Sequence, residues 1–180
     1  MIGESILLSE LQGIEERPSL LGALKRLTYA SPLYGYTLIG RTPTRLLGTP
    51  PEIIPGSAAA GQVILAGYLS FAGERREING MNAVMEKSSE AWHCHLHGFS
   101  WLGDLRAVGS DEARRYARAM IEGWISEYGK WSPLPWRPDI TGERLTNWLT
   151  HFGFYAADAP DPFREMLFSE LARQARHLSR

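Results

Sequence analysis

All six tryptophans of this chain fall between Trp92 and Trp148, interleaved with histidines and arginines. A Trp ring is favoured where one face is packed and a polar tip stays wet. Trp131, Trp136 and Trp148 offer faces on which a sugar ring can stack. Arg137 and Arg144 offer planar forks able to clamp a carboxylate, and His97 adds polar lining. These residues together predict a groove for a flat polar ligand, and a sugar polymer fits that description. The competing reading is helix-pair packing, with the Trp rings in the core and the arginines on backbone carbonyls.

His93, His95 and His97 alternate. On a strand they would share one face and could bind a metal. On a helix His93 and His97 align at i, i+4 while His95 points elsewhere. The flanking pattern favours the helix, so neither a metal nor another cofactor is expected. Asn147 and His151 are also one helical turn apart; they suggest a proton-transfer or charge-binding pair, although a solvated polar face explains them as well. Asp104 and Glu122 have no evident partner carboxylate, which argues against a two-acid hydrolase. Neither a Gly-rich phosphate loop nor a Gly-x-Ser-x-Gly elbow is present.

The chain has 180 residues, enough for one domain with a core, and its hydrophobic and charged fractions of 44% and 22% are ordinary. A net charge of -1 gives no electrostatic reason to expect nucleic acid. Cys94 is the lone cysteine, so no internal disulfide can form. No apolar run approaches the length of a membrane span. Glu4, Glu10, Glu15 and Glu16 replace the basic region of a Sec signal peptide, so the sequence reads as unexported by that route.

The elements that must position these groups are mainly helices. Short helical patterns cover residues 5–14 and 18–30, and a Pro/Gly-rich arm runs from 41 to 61. Residues 62–78 read as a short hairpin around Ala72-Gly73. Residues 89–107 can make one helix weakened by Gly98. Ser110 caps the next, with Asp111 and Glu112 in its first turn, Gly129 at its end, and a stripe of Ala113, Ala117, Met120, Ile121, Trp124 and Tyr128. Prolines make 131–139 a loop, and 141–155 a helix with Leu145, Trp148, Leu149 and Phe152 on one face. The last helix carries Phe163, Met166, Leu167, Leu171 and Leu178. Its pattern reaches Arg180 without a cap, which predicts a continuation or a partner covering this stripe.

The run His95-Leu96-His97-Gly98-Phe99-Ser100-Trp101-Leu102-Gly103-Asp104-Leu105, then Trp124-Ile125-Ser126-Glu127, Trp131 to Asp139, and Arg144 to Trp148 resembles the N-terminal part of heparinase II/III family proteins, in the forms found in alphaproteobacteria. The resemblance extends from about Leu33 to the end. It implies an all-α fold, the N-terminal part of an incomplete (α/α) toroid over residues 62–180, preceded by an irregular arm over 1–61 with a short β-hairpin after it. It implies a parent polysaccharide lyase acting by β-elimination on uronic-acid-containing chains, with an acidic polysaccharide as partner. Trp131, Trp136, Arg137, Arg144, Trp148, His97 and Trp101 are then the expected substrate-binding residues. The family's catalytic Asn, Tyr and His motifs have no counterpart here, so this chain alone is expected to be inactive. Self-association, or a C-terminal β-sandwich domain beyond Arg180, is expected to complete it. The alternative is a non-catalytic carbohydrate-binding or helical scaffold module.

Overall fold

The computed structural model describes residues 27–31, 33–78, 80–82 and 88–180. The chain divides into two units, residues 1–34 and 35–180. The helix expected over 5–14 lies outside the described residues, and of the one expected over 18–30 only 27–30 are described, as helix. The described residues are mostly helical with one small antiparallel sheet, and they do not show a toroid.

After the described stretch 27–31 comes a single helical turn, α1 (Tyr34–Thr37). The segment after it is tied down by the far end of the chain. Arg176 Nη1 donates to the Leu38 carbonyl at 2.9 Å, Arg176 Nη2 donates to that of Arg41, and Arg180 donates to that of Thr37. Residues 39–57 contain no helix or strand, as the prolines and glycines predict. Ser57 then caps α2 (Ala58–Leu65), its Oγ accepting the Ala60 N–H at 3.3 Å. The sequence reading had missed this helix, giving its last residues to the hairpin.

The hairpin itself forms, as β1 (Tyr68–Phe71) and β2 (Glu74–Glu77) in the register Leu69↔Arg76 and Phe71↔Glu74. Ala72 and Gly73 at its tip have φ of 51° and 82°. Left-handed backbone at both central positions matches the twist of a two-residue hairpin, which is why Gly stands there. Leu69 points into the core at 2% exposure, and the Trp92 indole donates to its carbonyl at 3.3 Å.

Residues 89–107 form two helices, α3 (Glu90–Gly98) and α4 (Leu102–Val108). The break is at Phe99, whose φ is 60°. Its ring is fully buried against Trp101 and Trp148, at 4.8 and 5.2 Å between centroids, and that burial holds the unfavourable backbone in place. A Cβ at Gly98 would meet only the carboxylate end of the exposed Glu143 side chain, which can swing aside.

The long helix α5 (Asp111–Tyr128) keeps the expected boundaries, with Ser110 Oγ accepting the Ala113 N–H at 3.1 Å. Pro138 opens α6 (Pro138–Thr150), earlier than expected, and His151 separates it from α7 (Phe152–Tyr155). The inward face of α6 is Ile140, Thr141, Arg144 and Trp148, while Leu145 and Leu149 are half-buried. That corrects the expected face, which placed Arg144 outside the apolar stripe. The last helix, α8 (Asp161–Leu178), buries Phe163, Leu167 and Leu171 within the chain. Met166 is half-buried, and Leu178 is 39% exposed. The expected bare stripe is thus mostly covered, because α6 packs on α8 and α7 supplies rings, Phe152 to Phe168 at 5.6 Å and Tyr155 to Phe163 at 6.2 Å.

Candidate functional site

Most of the residues that promised a sugar groove form the core. Trp101, Trp136, Trp148, His97 and Arg144 are all 0–1% exposed. Trp124 and Trp148 meet edge to face at 5.6 Å. Trp indoles are acceptable in a core when each N–H finds an acceptor, and here carbonyls supply several. Trp101 donates to Leu96 O at 3.1 Å, and Trp136 to Tyr128 O at 2.7 Å. Trp124 donates to His97 Nδ1 at 3.2 Å. These rings therefore present no stacking face to a polymer. Of the expected seven, only Trp131 and Arg137 are half-exposed. Arg137 is engaged by Glu90 at 2.5 Å and Asp139 at 2.6 Å, which raise its pKa and tie the start of α3 to the start of α6.

Arg144 is an internal bolt. Its Nε donates to Gln174 Oε1 at 2.9 Å, and its Nη1 donates to the carbonyls of His97 and Pro135 at 3.0 and 2.9 Å. Its guanidinium carbon lies 3.9 Å from the centre of the Trp124 ring. Burial pulls its pKa down to about 9, against the opposing pull of Glu170, so it is charged at neutral pH. Glu170, itself buried and with its pKa pushed up by that burial, pairs with Arg173 at 3.1 Å. The planar five-donor fork suits a site where three backbone and side-chain acceptors converge.

The histidines behave as a helix dictates. His93 and His97 stack at 6.5 Å, while His95 turns away and stacks on Phe71 at 4.1 Å. Ser100 Oγ lies 2.7 Å from His95 Nδ1, closing the end of α3. Among the described residues no group of three His, Cys, Asp or Glu could hold a metal ion.

Burial, with smaller contributions from Arg144 and His93, drops the His97 pKa to about 3. An unfolded histidine titrates near 6.5. The stability that neutral His97 contributes is therefore complete above pH 6.5 and is lost as pH falls from there toward 3, by at most about 1.4 kcal/mol per pH unit. His97→Gln keeps an acceptor for the Trp124 N–H and removes this titration. Chemical denaturation at pH 7 and pH 5 should show the native chain losing about 2 kcal/mol more than the variant. Equal losses would mean that His97 takes up its proton inside the fold.

Among the described residues, two surface clefts stand out. One, of about 970 Å³, lies between residues 42–49 and the helices α7 and α8, with Phe152 and Phe168 in its wall. The other, of about 440 Å³, lies between residues 51–56, the start of α4 and one side of α6. Acidic and neutral polar groups gather in the second: Glu52, Asp104, Glu143, Asn147 and His151. Asp104 Oδ1 accepts the Ser57 N–H at 2.7 Å, and Glu52 is paired with Arg106. Asn147 donates to Gly98 O at 2.9 Å. His151 is 4% exposed, and its Nδ1 has no hydrogen-bond partner. Burial lowers the His151 pKa and raises those of Asp104 and Glu143. Sequence spacing had paired Asn147 with His151 but had no route to Glu52, which arrives on the Pro-rich arm.

The comparisons with known proteins change the functional reading. No protein-family model matches the chain. No solved structure matches it. It is similar to FtsZ-localized protein C of Caulobacter vibrioides, 36% identical over 138 residues, which are 76% of this chain and 24% of that protein. The chain thus spans about a quarter of the length of this curated relative. The relative is named for its localisation to FtsZ and not for a lyase. This corrects the heparinase II/III resemblance, and with it the expected polysaccharide lyase, the carbohydrate-binding alternative and the acidic polysaccharide partner. The physical reason for the error is that the Trp, His and Arg spacing which carried the resemblance is mostly core packing. No helix among the described residues is long and apolar enough to cross a membrane.

Proposed function

We propose that this chain belongs to a cell-division protein that associates with FtsZ or an FtsZ-containing assembly, and that it works by docking a protein partner. The observation that carries this reading is the 36% identity to FtsZ-localized protein C over 138 residues. Two features of the surface support it. Most of the aromatic residues that a glycan platform would need are packed inside, and the most exposed apolar side chains sit on the arm. Leu47, Ile53 and Ile54 are 93%, 87% and 83% exposed. Exposed apolar groups clustered beside polar clefts are a common mark of protein interaction surfaces.

A fluorescent fusion of the chain, produced in Caulobacter vibrioides, is expected to gather at the division site together with labelled FtsZ, and to disperse within one cell cycle of FtsZ depletion. A uniform cell-wide signal in FtsZ-replete cells, from a fusion shown to be intact, would sink the proposal.

A further inference from the structure

We propose that the 440 Å³ cleft bounded by residues 51–56 and α6 is a docking site for an arginine side chain carried on a short apolar segment of a protein partner. This deepens the division-protein reading and rests on it.

The size fits. Ligand cavities run from about 300 to 1,000 Å³, and this one is at the small end, suited to one or two side chains. The chemistry is one-sided. Glu52, Asp104 and Glu143 bring three carboxylates to the lining, and Arg106 offsets one of them by pairing with Glu52. Ionised carboxylates only accept hydrogen bonds. His151 adds a second, independent sign of an absent partner, one that a guanidinium N–H supplies when Nδ1 is the unprotonated ring nitrogen. The residue is 4% exposed, yet its Nδ1 is unpartnered and stands 3.9 Å from Glu52 Oε1, too far for a hydrogen bond. Polar atoms that deep are normally satisfied. Burial disfavours the charged forms of Asp104 and Glu143, and an entering cation would relieve that strain on both.

A bare metal ion is a poor fit, because no three acidic or imidazole groups among the described residues converge on one point. A guanidinium is a better one, since its planar fork reaches several separated acceptors at once, where an ammonium acts as a point charge. The rim supplies the rest. Ile53 and Ile54 stand exposed between Pro51 and Pro55, beside the carboxylates. They offer apolar surface to the aliphatic stem of an arginine and to its apolar neighbours in sequence. The strap that holds them is fixed from below, where Gly56 lies directly on the Gly103 backbone. A rim held in place before binding loses little entropy on binding.

The test uses the whole 180-residue chain and a fluorescein-labelled peptide, Gly-Leu-Leu-Arg-Leu-Leu-Gly, followed by fluorescence anisotropy at low ionic strength. Saturable binding is expected, weakened about tenfold when citrulline replaces the arginine, and weakened further by added salt. Glu143 is exposed and Glu143→Gln should fold normally; it is expected to weaken binding about fivefold, and Glu143→Lys about tenfold or more. Ile54→Ser should weaken binding of the peptide while leaving the poor binding of free arginine amide as it was. Equal affinity for the arginine and citrulline peptides, or no response to both Glu143 variants, would overturn the assignment, as would absence of saturable binding. If the peptide fails to bind while the fusion still follows FtsZ, only the cleft assignment falls. If the peptide binds while the fusion does not follow FtsZ, the division reading falls, and with it the partner's place in a division assembly, while arginine recognition by the cleft is kept.

Discussion

Arg144→Ala is expected to cost the fold about 3–5 kcal/mol, a large part of a typical net stability of about 5–15. The side chain is 0% exposed and holds three parts of the chain together: the end of α3 through His97 O, the 131–137 loop through Pro135 O, and α8 through Gln174. Its removal orphans those acceptors, opens a cavity under Trp124, and leaves Glu170 with Arg173 as the one remaining cation, among the described residues, that favours its ionised form. Arg144→Lys should recover little, since an ammonium cannot reach Gln174, His97 and Pro135 from one position. The urea midpoint of each variant at pH 7 measures the effect. A loss under about 1 kcal/mol for the alanine variant, within the range of a surface substitution, would show that Arg144 is not part of the core.

The second large effect concerns two glycines. Intrinsic propensity says that Gly→Ala inside a helix stabilises by up to about 1 kcal/mol. At Gly61 of α2 the opposite sign is expected, because a Cβ there would overlap the Asp104 carbonyl and the Val108 side chain where α2 crosses α4. Overpacking of this kind costs about 1–3 kcal/mol for one methyl, and Gly61→Val should cost more. Gly103 of α4 is the control. Its added Cβ would sit 3.4 Å from His151 Nε2, close to ordinary contact, so Gly103→Ala should shift the midpoint by less than about 1 kcal/mol. If Gly61→Ala proves as stable as the native chain, α2 and α4 are not in backbone contact and the floor of the acidic cleft is misplaced.

What the sequence disclosed follows physical lines. The boundaries of α5 were legible because a Ser cap, an acidic first turn and an apolar stripe all agree over residues 110–129. The hairpin was legible because Ala72-Gly73 marks a turn directly after the aromatic-bearing run Tyr68–Phe71. The helix α2 was not, since Gly61 weakens a short pattern and its purpose, a close crossing, is tertiary. The break at Phe99 was half legible: Gly98 gave a warning, but only burial between Trp101 and Trp148 explains why a phenylalanine takes a left-handed backbone. The aromatic run misled for a related reason. Tryptophans with histidines and arginines between them look the same whether the polar partners wait for a ligand or bond to carbonyls. Here Leu96, Tyr128 and Pro135 supply the carbonyls, and sequence spacing does not reveal them. The acidic cleft was invisible in part because Glu52 and Glu143 are far apart in sequence and meet only through the path of the arm.

The central claim is that the chain acts through a protein partner in an FtsZ-associated assembly, and direct binding in purified form tests it most closely. Immobilised FtsZ is exposed to the 180-residue chain in a biosensor, with a soluble acidic polysaccharide as competitor. The account predicts saturable binding to FtsZ, or to FtsZ supplied with its division-site partners, that the polysaccharide does not displace. Absence of binding to FtsZ alone and to the reconstituted assembly, together with saturable binding of the polysaccharide by the free chain, would contradict it.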